Sequence, residues 1–239
     1  MNIVAIDTAT DLFSVALAVT GESRTDTWVF RADSGMRHSE LLPGLLDVLV
    51  RKAGIMPKDI GGVVCMGGPG SFTGLRIGYS LAKALALSCG IPFAAVPTLD
   101  CLARPLSCLP GILVPVLDAK KRAFFCAPYR GTERLGPFMD ATPAEIAGVL
   151  GDFGPEPVLL FGPGAEMLHR ELLLLPGEAL AGRERPVLGR GLKAGDAGTL
   201  LEIALETGIL DSGGDDPLSG PGYLRKSDAE LSGEAGCPH

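Results

Sequence analysis

In "NIVAIDTATDLFSVALAVTGE", residues 2–22, the apolar positions first run together and then alternate. Phe13, Val15, Leu17 and Val19 fall on one side of an extended chain, and Ser14, Ala16 and Ala18 on the other. That period of two is the pattern of a half-buried strand. "DTATD" reads as the turn out of an apolar first strand, "TGES" as a second turn and "TDTWVFRA" as a third strand, so the chain begins with a β-meander. A helix is predicted over 39–53, ended by Gly54. "GGVVCMGG" follows as a short buried parallel strand, then a second helix over 73–89, stopped by "GIP". "FAAVPTL" makes another strand and leads into a short helix.

The plan restarts near residue 110. "GILVPVLDAKKRAFFCAPYRG" is again strand, tight turn, strand, and "TPAEIAGVLGD" is a helix. "PVLLFGPGAEML" reads as a strand and a glycine-rich turn, and a helix is expected over 196–207. The pattern predicts two duplicated α/β lobes. Residues 1–108 form an N-terminal lobe and 109–195 a C-terminal lobe. Residues 196–224 are a helix and a segment returning to the first lobe, and 225–239 a disordered polar tail.

Two helices carry more apolar surface than one sheet requires. In the first, Leu41, Leu42, Leu45, Leu46, Val48, Leu49 and Val50 fan across about 200°, where a stripe of about 100° suffices for a helix on one sheet. In the second, Arg76, Ser80 and Lys83 share one narrow polar strip, while Gly78, Ala82, Ala84 and Ala86 would let another helix approach closely. Either both helices are sandwiched inside the lobe or they form a partner-binding face; the second is the expectation taken here. On that view Leu45→Asp or Ala82→Arg abolishes pairing and leaves the monomer folded.

Between these helices lies "GGPGSFTGLRIG", residues 67–78, whose glycines allow a close approach to the backbone. Neither GxxxxGK[ST] nor GxGxxG occurs, although exposed N–H groups at a helix start can still hold a phosphate. The alternative is close helix–strand packing, with Thr73 capping the helix. A nucleophile elbow needs glycine two residues either side of its serine, and around Ser71 those places hold Pro69 and Thr73. His38 heads the first helix, but Leu42 stands one turn on, so no second imidazole completes a metal pair. No catalytic or metal-ligating set is assigned. Asp7 and Asp118 each end a predicted strand just before a turn, where phosphotransferases place metal-binding carboxylates and where structural turn aspartates are equally at home.

Composition narrows the classes. With 46% hydrophobic and 21% charged residues the 239-residue chain is globular. Its net charge of −7 and its longest basic run, "DAKKRA", argue that any RNA is held through a partner. "MNIVAID" lacks a basic leader and no apolar stretch reaches membrane-spanning length, so neither a targeting segment nor a membrane span is expected. The six cysteines form no CxxC and read as reduced core residues of a cytoplasmic protein.

"AIDTAT…SVAL", "HSELLP", "GPGSFTGLRIG…AKALA…GIP…VPTL", "LDAKKRAFF" and "PGYLR" together resemble the TsaB (YeaZ) family of bacterial tRNA-modification proteins, strongly over about 1–130 and loosely beyond. The resemblance implies a two-lobed actin-like ATPase (ASKHA, ribonuclease H-like) fold with a degenerate nucleotide site, since Thr8 and Thr10 stand where a phosphate loop wants glycine. The nucleotide-contact candidates it leaves are Asp7, Thr8, Asp118, Gly162 and Gly164. It implies a non-catalytic subunit in forming N6-threonylcarbamoyladenosine at position 37 of tRNAs that read codons starting with A. Such a subunit binds and activates the catalytic paralogue TsaD together with the ATPase TsaE, reaches tRNA only through the complex, and forms a homodimer when alone. No cofactor is assigned, with ATP or ADP at a subunit junction left open. The catalytic paralogue holds its metal with an H-x-x-x-H pair, of which only His38 is matched here. The implied interface uses the two helices: His38, Leu41, Leu42, Leu45, Leu49, Arg76, Gly78, Tyr79, Ala82, Lys83 and Ala86. The alternatives are an independent actin-like small-molecule kinase using Asp7 and Asp118, and, weakest, a peptidase.

Overall fold

Two mixed sheets organise the chain, each built on one strand order. The computed structural model describes residues 1–33, 38–176, 180, 184–192, 194–216, 219–222 and 224, with the side chains of His38 and Ser39 outside the described set. The tail expected over 225–239 also lies outside the described residues.

The first sheet contains β1 (Asn2–Asp7), β2 (Leu12–Thr20), β3 (Thr25–Asp33), β4 (Ile60–Met66) and β5 (Phe93–Val96), ordered β3-β2-β1-β4-β5. The meander pairs are antiparallel, and β1, β4 and β5 run parallel. The second sheet contains β6 (Ile112–Asp118), β7 (Phe124–Cys126), β10 (Met139–Ala141), β11 (Val158–Phe161) and β12 (Val187–Leu188), ordered β10-β7-β6-β11-β12. A small hairpin of β8 (Tyr129–Arg130) and β9 (Glu133–Arg134) extends it beside β6. With the β8–β9 hairpin left out of the count, both sheets run third, second, first, fourth, fifth strand. That ribonuclease H-like plan, used twice, is the actin-like ATPase fold expected from the sequence.

Alternation along the strands sorts residues between two helical layers. Val4, Ile6, Phe13, Val15 and Leu17 face α1 (His38–Lys52) and α2 (Phe72–Cys89). Ile3, Ala5, Ala16 and Ala18 face α6 (Ala197–Thr207), and their small side chains let that helix lie close. β2 is therefore buried on both faces over most of its length, not on one, because α6 returns from the far end of the chain to cover the second. In the second sheet, Ile112, Val114 and Val116 pack under α4 (Pro143–Gly151) and α5 (Ala165–Leu174), while Leu113 and Leu117 pack with α3 (Thr98–Ala103). Helix α5 occupies a stretch whose sequence reads only as a glycine-rich turn.

Local chemistry sets the helix ends. Ser71, not Thr73, caps α2, its hydroxyl accepting from the Gly74 N–H at 3.2 Å, and Gly90 closes the helix at φ 64°. Thr142 and Glu145 form a reciprocal capping box on α4. Tyr79 of α2 meets Phe93 of β5 edge-to-face at 5.5 Å, locking the helix over the parallel strands.

Candidate functional site

The glycine loop between β4 and α2 is folded onto the turn that leaves β1. A Cβ at Gly70 would lie 2.5 Å from the Ala9 carbonyl oxygen, and one at Gly74 would lie 2.0 Å from that of Thr8. At Gly78 it would meet the Thr8 hydroxyl at 2.4 Å. Only hydrogen fits at these positions. The loop's N–H groups are largely spent at home: Gly67 donates to Val96, Gly68 to the Thr98 hydroxyl, Ser71 to Ala9 and Gly74 to Ser71. Close packing therefore accounts for this loop better than a phosphate cradle does.

The second lobe repeats the device. Gly68-Pro69-Gly70 follows β4, and Gly162-Pro163-Gly164 follows β11, the fourth strand of its own sheet. A Cβ at Gly164 would lie 2.7 Å from the Leu117 carbonyl carbon, and its N–H donates to Val116 at 2.9 Å. Gly162, at φ 95°, packs against the Val116 backbone and also reaches a cleft between the two sheets.

That cleft has a volume of about 680 Å³, and its charged lining is Asp7, Arg31, Glu166, Arg190 and Asp196. Asp7 is buried at the end of β1, accepting from the Ala9 N–H at 3.1 Å and the Ser14 hydroxyl at 3.3 Å. Burial, with Asp196 adding to it, pushes its pKa up to about 7 against the lowering effect of those hydrogen bonds. Arg31 pairs with Asp196, whose other oxygen caps α6 through Gly198 and Thr199, and the Ala197 N–H donates to Ser14. No pattern along the chain points to Arg31, Ser14 or Asp196, because tertiary folding alone brings them to Asp7.

The nucleotide candidates are thus only partly brought together. Asp7 and Gly162 line the cleft; Thr8, Asp118 and Gly164 are not among its lining residues. The Thr8 hydroxyl is committed to the Gly74 carbonyl at 2.8 Å. Asp118 accepts from the Lys120 N–H at 2.7 Å and from its ammonium at 2.8 Å. Burial works to raise the Asp118 pKa, and the Lys120 hydrogen bonds and charge outweigh it, holding the carboxyl below its ordinary value. Among the described residues no group of three or more His, Cys, Asp or Glu is placed to hold a metal.

Burial corrects the interface expected from the helical arcs. Leu42, Leu49, Gly78, Tyr79, Ala82 and Ala86 are buried in the chain's own core, and Leu41 and Leu45 are half-buried against it. The wide arcs are used partly on the sheet and partly between the helices themselves. Lys83 donates to the Ser219 carbonyl of the returning segment, and Arg76 stacks over Phe72 at 3.9 Å. The His38 side chain lies outside the described residues. What α1 and α2 leave open is an apolar groove of about 590 Å³, lined by Pro43, Phe72, Ile77, Ser80 and Leu81 with Leu42 at its base. Val48, 50% exposed, and Leu87, 69% exposed, are further apolar side chains left open on these helices.

The family model described as TsaD, tRNA N6-adenosine threonylcarbamoyltransferase, matches residues 32–154, a span that includes both helices and the glycine loop. The TsaB protein of Bacillus subtilis, a tRNA threonylcarbamoyladenosine biosynthesis protein, is 30% identical over 179 residues, which are 72% of this chain and 75% of that protein. The chain belongs to the TsaB (YeaZ) family. Escherichia coli TsaB is 34% identical over 135 residues, 56% of this chain and 57% of that one. The solved structure of YeaZ from Pseudomonas aeruginosa shares the fold, with a TM-score of 0.72 at 23% identity over 93% of this chain and 99% of the other. No helix among the described residues is long and apolar enough to cross a membrane.

Proposed function

We propose that this TsaB-family chain is a non-catalytic subunit in forming N6-threonylcarbamoyladenosine at position 37 of tRNAs that read codons starting with A. Family membership supports involvement in that biosynthesis. The subunit binds and activates a TsaD-type catalytic paralogue, works with a TsaE-type ATPase, and meets tRNA within the complex. Without its paralogue it pairs with a second copy of itself.

The observation that carries the docking role is the open apolar groove between α1 and α2. It lies on the two helices for which the sequence supplies an apolar arc wider than the sheet needs, and it is rimmed by polar Ser80 and Arg76. The two aspartates support the non-catalytic role: Asp7, in the cleft, is buried and bonded to Ser14, while Asp118, outside the cleft lining, is occupied by Lys120. A kinase using both aspartates around one metal would need them free and facing one another.

Depletion of the protein in cells followed by nucleoside analysis of total tRNA tests the pathway. Loss of threonylcarbamoyladenosine, restored by the wild-type chain, is the expected result; an unchanged level overturns it.

A further inference from the structure

The longest basic run in this acidic chain is the turn between β6 and β7, and its geometry is unusual. Lys120, Lys121 and Arg122 have φ of 62°, 53° and 60°, three consecutive side-chain-bearing residues in the left-handed region. Backbone hydrogen bonds from Ala119 to Ala123 and from Ala123 to Lys120 hold the turn tight. The tips are well exposed, the Lys120 side chain at 80% and that of Arg122 at 85%.

An ion pair joins this turn to a neighbouring helix. Arg122 lies 3.8 Å from Glu171 of α5. On the same helix Arg170 pairs with Glu166 at 2.7 Å, and Glu166 also lies 3.6 Å from Arg190, just beyond β12. With Asp118 and Asp11 beside Lys120, these two groups of ion pairs set five cations against four carboxylates, in a chain whose net charge is −7. They reach the mouth of the cleft, where Glu166 and Arg190 form part of the wall.

We infer that this basic rim is a contact surface for the phosphodiester backbone of RNA, engaged when tRNA is bound in the complex; the inference rests on the functional reading above. Apart from Arg190 at the mouth of the cleft, the cations are exposed side chains outside the cleft lining, which suits a succession of phosphates better than a single nucleotide. Of their carboxylate partners Glu166 is exposed, while Asp118 and Glu171 are half-buried; phosphate can replace the exposed and the longer pairs and release counterions. The acidic remainder of the chain repels RNA, so the rim also fixes which face of the subunit the RNA can approach.

The test is titration of a tRNA transcript into the complex of the full chain with its TsaD-type paralogue, by fluorescence anisotropy between 50 and 300 mM salt. Two variants are compared with wild type: Lys120→Gln/Lys121→Gln/Arg122→Gln, and Arg170→Gln/Arg190→Gln, which leaves the strained turn untouched. Each should weaken binding by about fivefold or more at the lower salt and flatten the salt dependence by about 0.7–0.9 per lost phosphate contact. Assembly, followed by gel filtration, and competition by ATP should be unchanged. Wild-type affinity and slope in both variants overturn the inference. So does a loss of RNA binding that occurs only with loss of assembly, which would make the rim a protein contact. Should the wild-type chain fail to assemble with the paralogue, the functional reading falls. The inference falls with it, whereas normal assembly with unchanged RNA binding in both variants overturns the inference alone.

Discussion

The hydroxyl of Thr8 donates a 2.8 Å hydrogen bond to the backbone carbonyl of Gly74, tying the turn that leaves β1 to the first turn of α2. One residue earlier, Asp7 lines the cleft; one helical turn later, Ile77 lines the apolar groove. The glycine loop is thus the joint between the floor of the cleft and the helix that forms one wall of the apolar groove.

That joint can be measured by a mutant cycle. Gly78→Ala places a Cβ 2.4 Å from the Thr8 hydroxyl and should destabilise the fold by about 1–3 kcal/mol. Thr8→Ala alone should cost about 1 kcal/mol for the lost hydrogen bond. In the double variant the collision is gone, so urea denaturation should give a coupling of about 1 kcal/mol or more in the rescuing direction. Simple additivity would mean that the two residues do not press on one another. Gly74→Ala has no such rescue, because its obstacle is the Thr8 backbone carbonyl.

The buried Asp7 makes stability fall as pH rises. Unfolded, its carboxyl releases the proton near pH 4; folded, burial and Asp196 hold it until about pH 7. Between those values the native state binds the extra proton, so this contribution is fully present below about pH 4 and lost by about pH 7. Asp7→Asn, which stays neutral, should remove a few kcal/mol of that slope. In urea titrations the variant should gain on wild type from pH 5 to pH 8. Parallel profiles would contradict the buried, proton-holding carboxyl.

Much of this architecture is legible from sequence because it depends on alternation. The meanders, both crossover strands and the terminal aspartates at Asp7 and Asp118 follow from period-two patterns and turn residues. Besides the grouping of Arg31, Ser14 and Asp196 around Asp7, two things are not legible. Helix α5 begins at once after Gly162-Pro163-Gly164, and the glycines that allow its close packing on β6 disguise its start as a loop. The apolar arcs of α1 and α2 register how much greasy surface exists, not where it goes. Ala82 is wholly buried while its neighbour Ser80 is exposed, a distinction fixed by how each helix sits on the sheet.

The edge of the first sheet carries its own prediction. Asp215 accepts the Ala95 N–H of β5 at 2.7 Å and donates its own N–H to the Phe93 carbonyl at 2.6 Å, so the returning segment covers that edge. Asp215→Ala should leave the Ala95 amide unpaired and cost about 1–2 kcal/mol. Amide exchange at Ala95 should accelerate well beyond that at Val64 in the sheet centre. Unchanged protection at Ala95 would show that the carboxylate is not what shields the edge.

The α1–α2 groove as the seat of the catalytic paralogue is the claim on which the functional account stands, and one position addresses it cleanly. Ala82→Arg would force a guanidinium into a site with 0% exposure and unfold the chain, whatever docks there. Ser80→Arg instead places charge and bulk in the open groove without touching the core. The decisive measurement is gel-filtration co-elution of the Ser80→Arg chain with its TsaD-type paralogue, alongside a thermal melt of the chain alone. The account predicts a wild-type melting temperature with complex formation weakened by at least about tenfold. Full co-elution of a folded Ser80→Arg chain would contradict it.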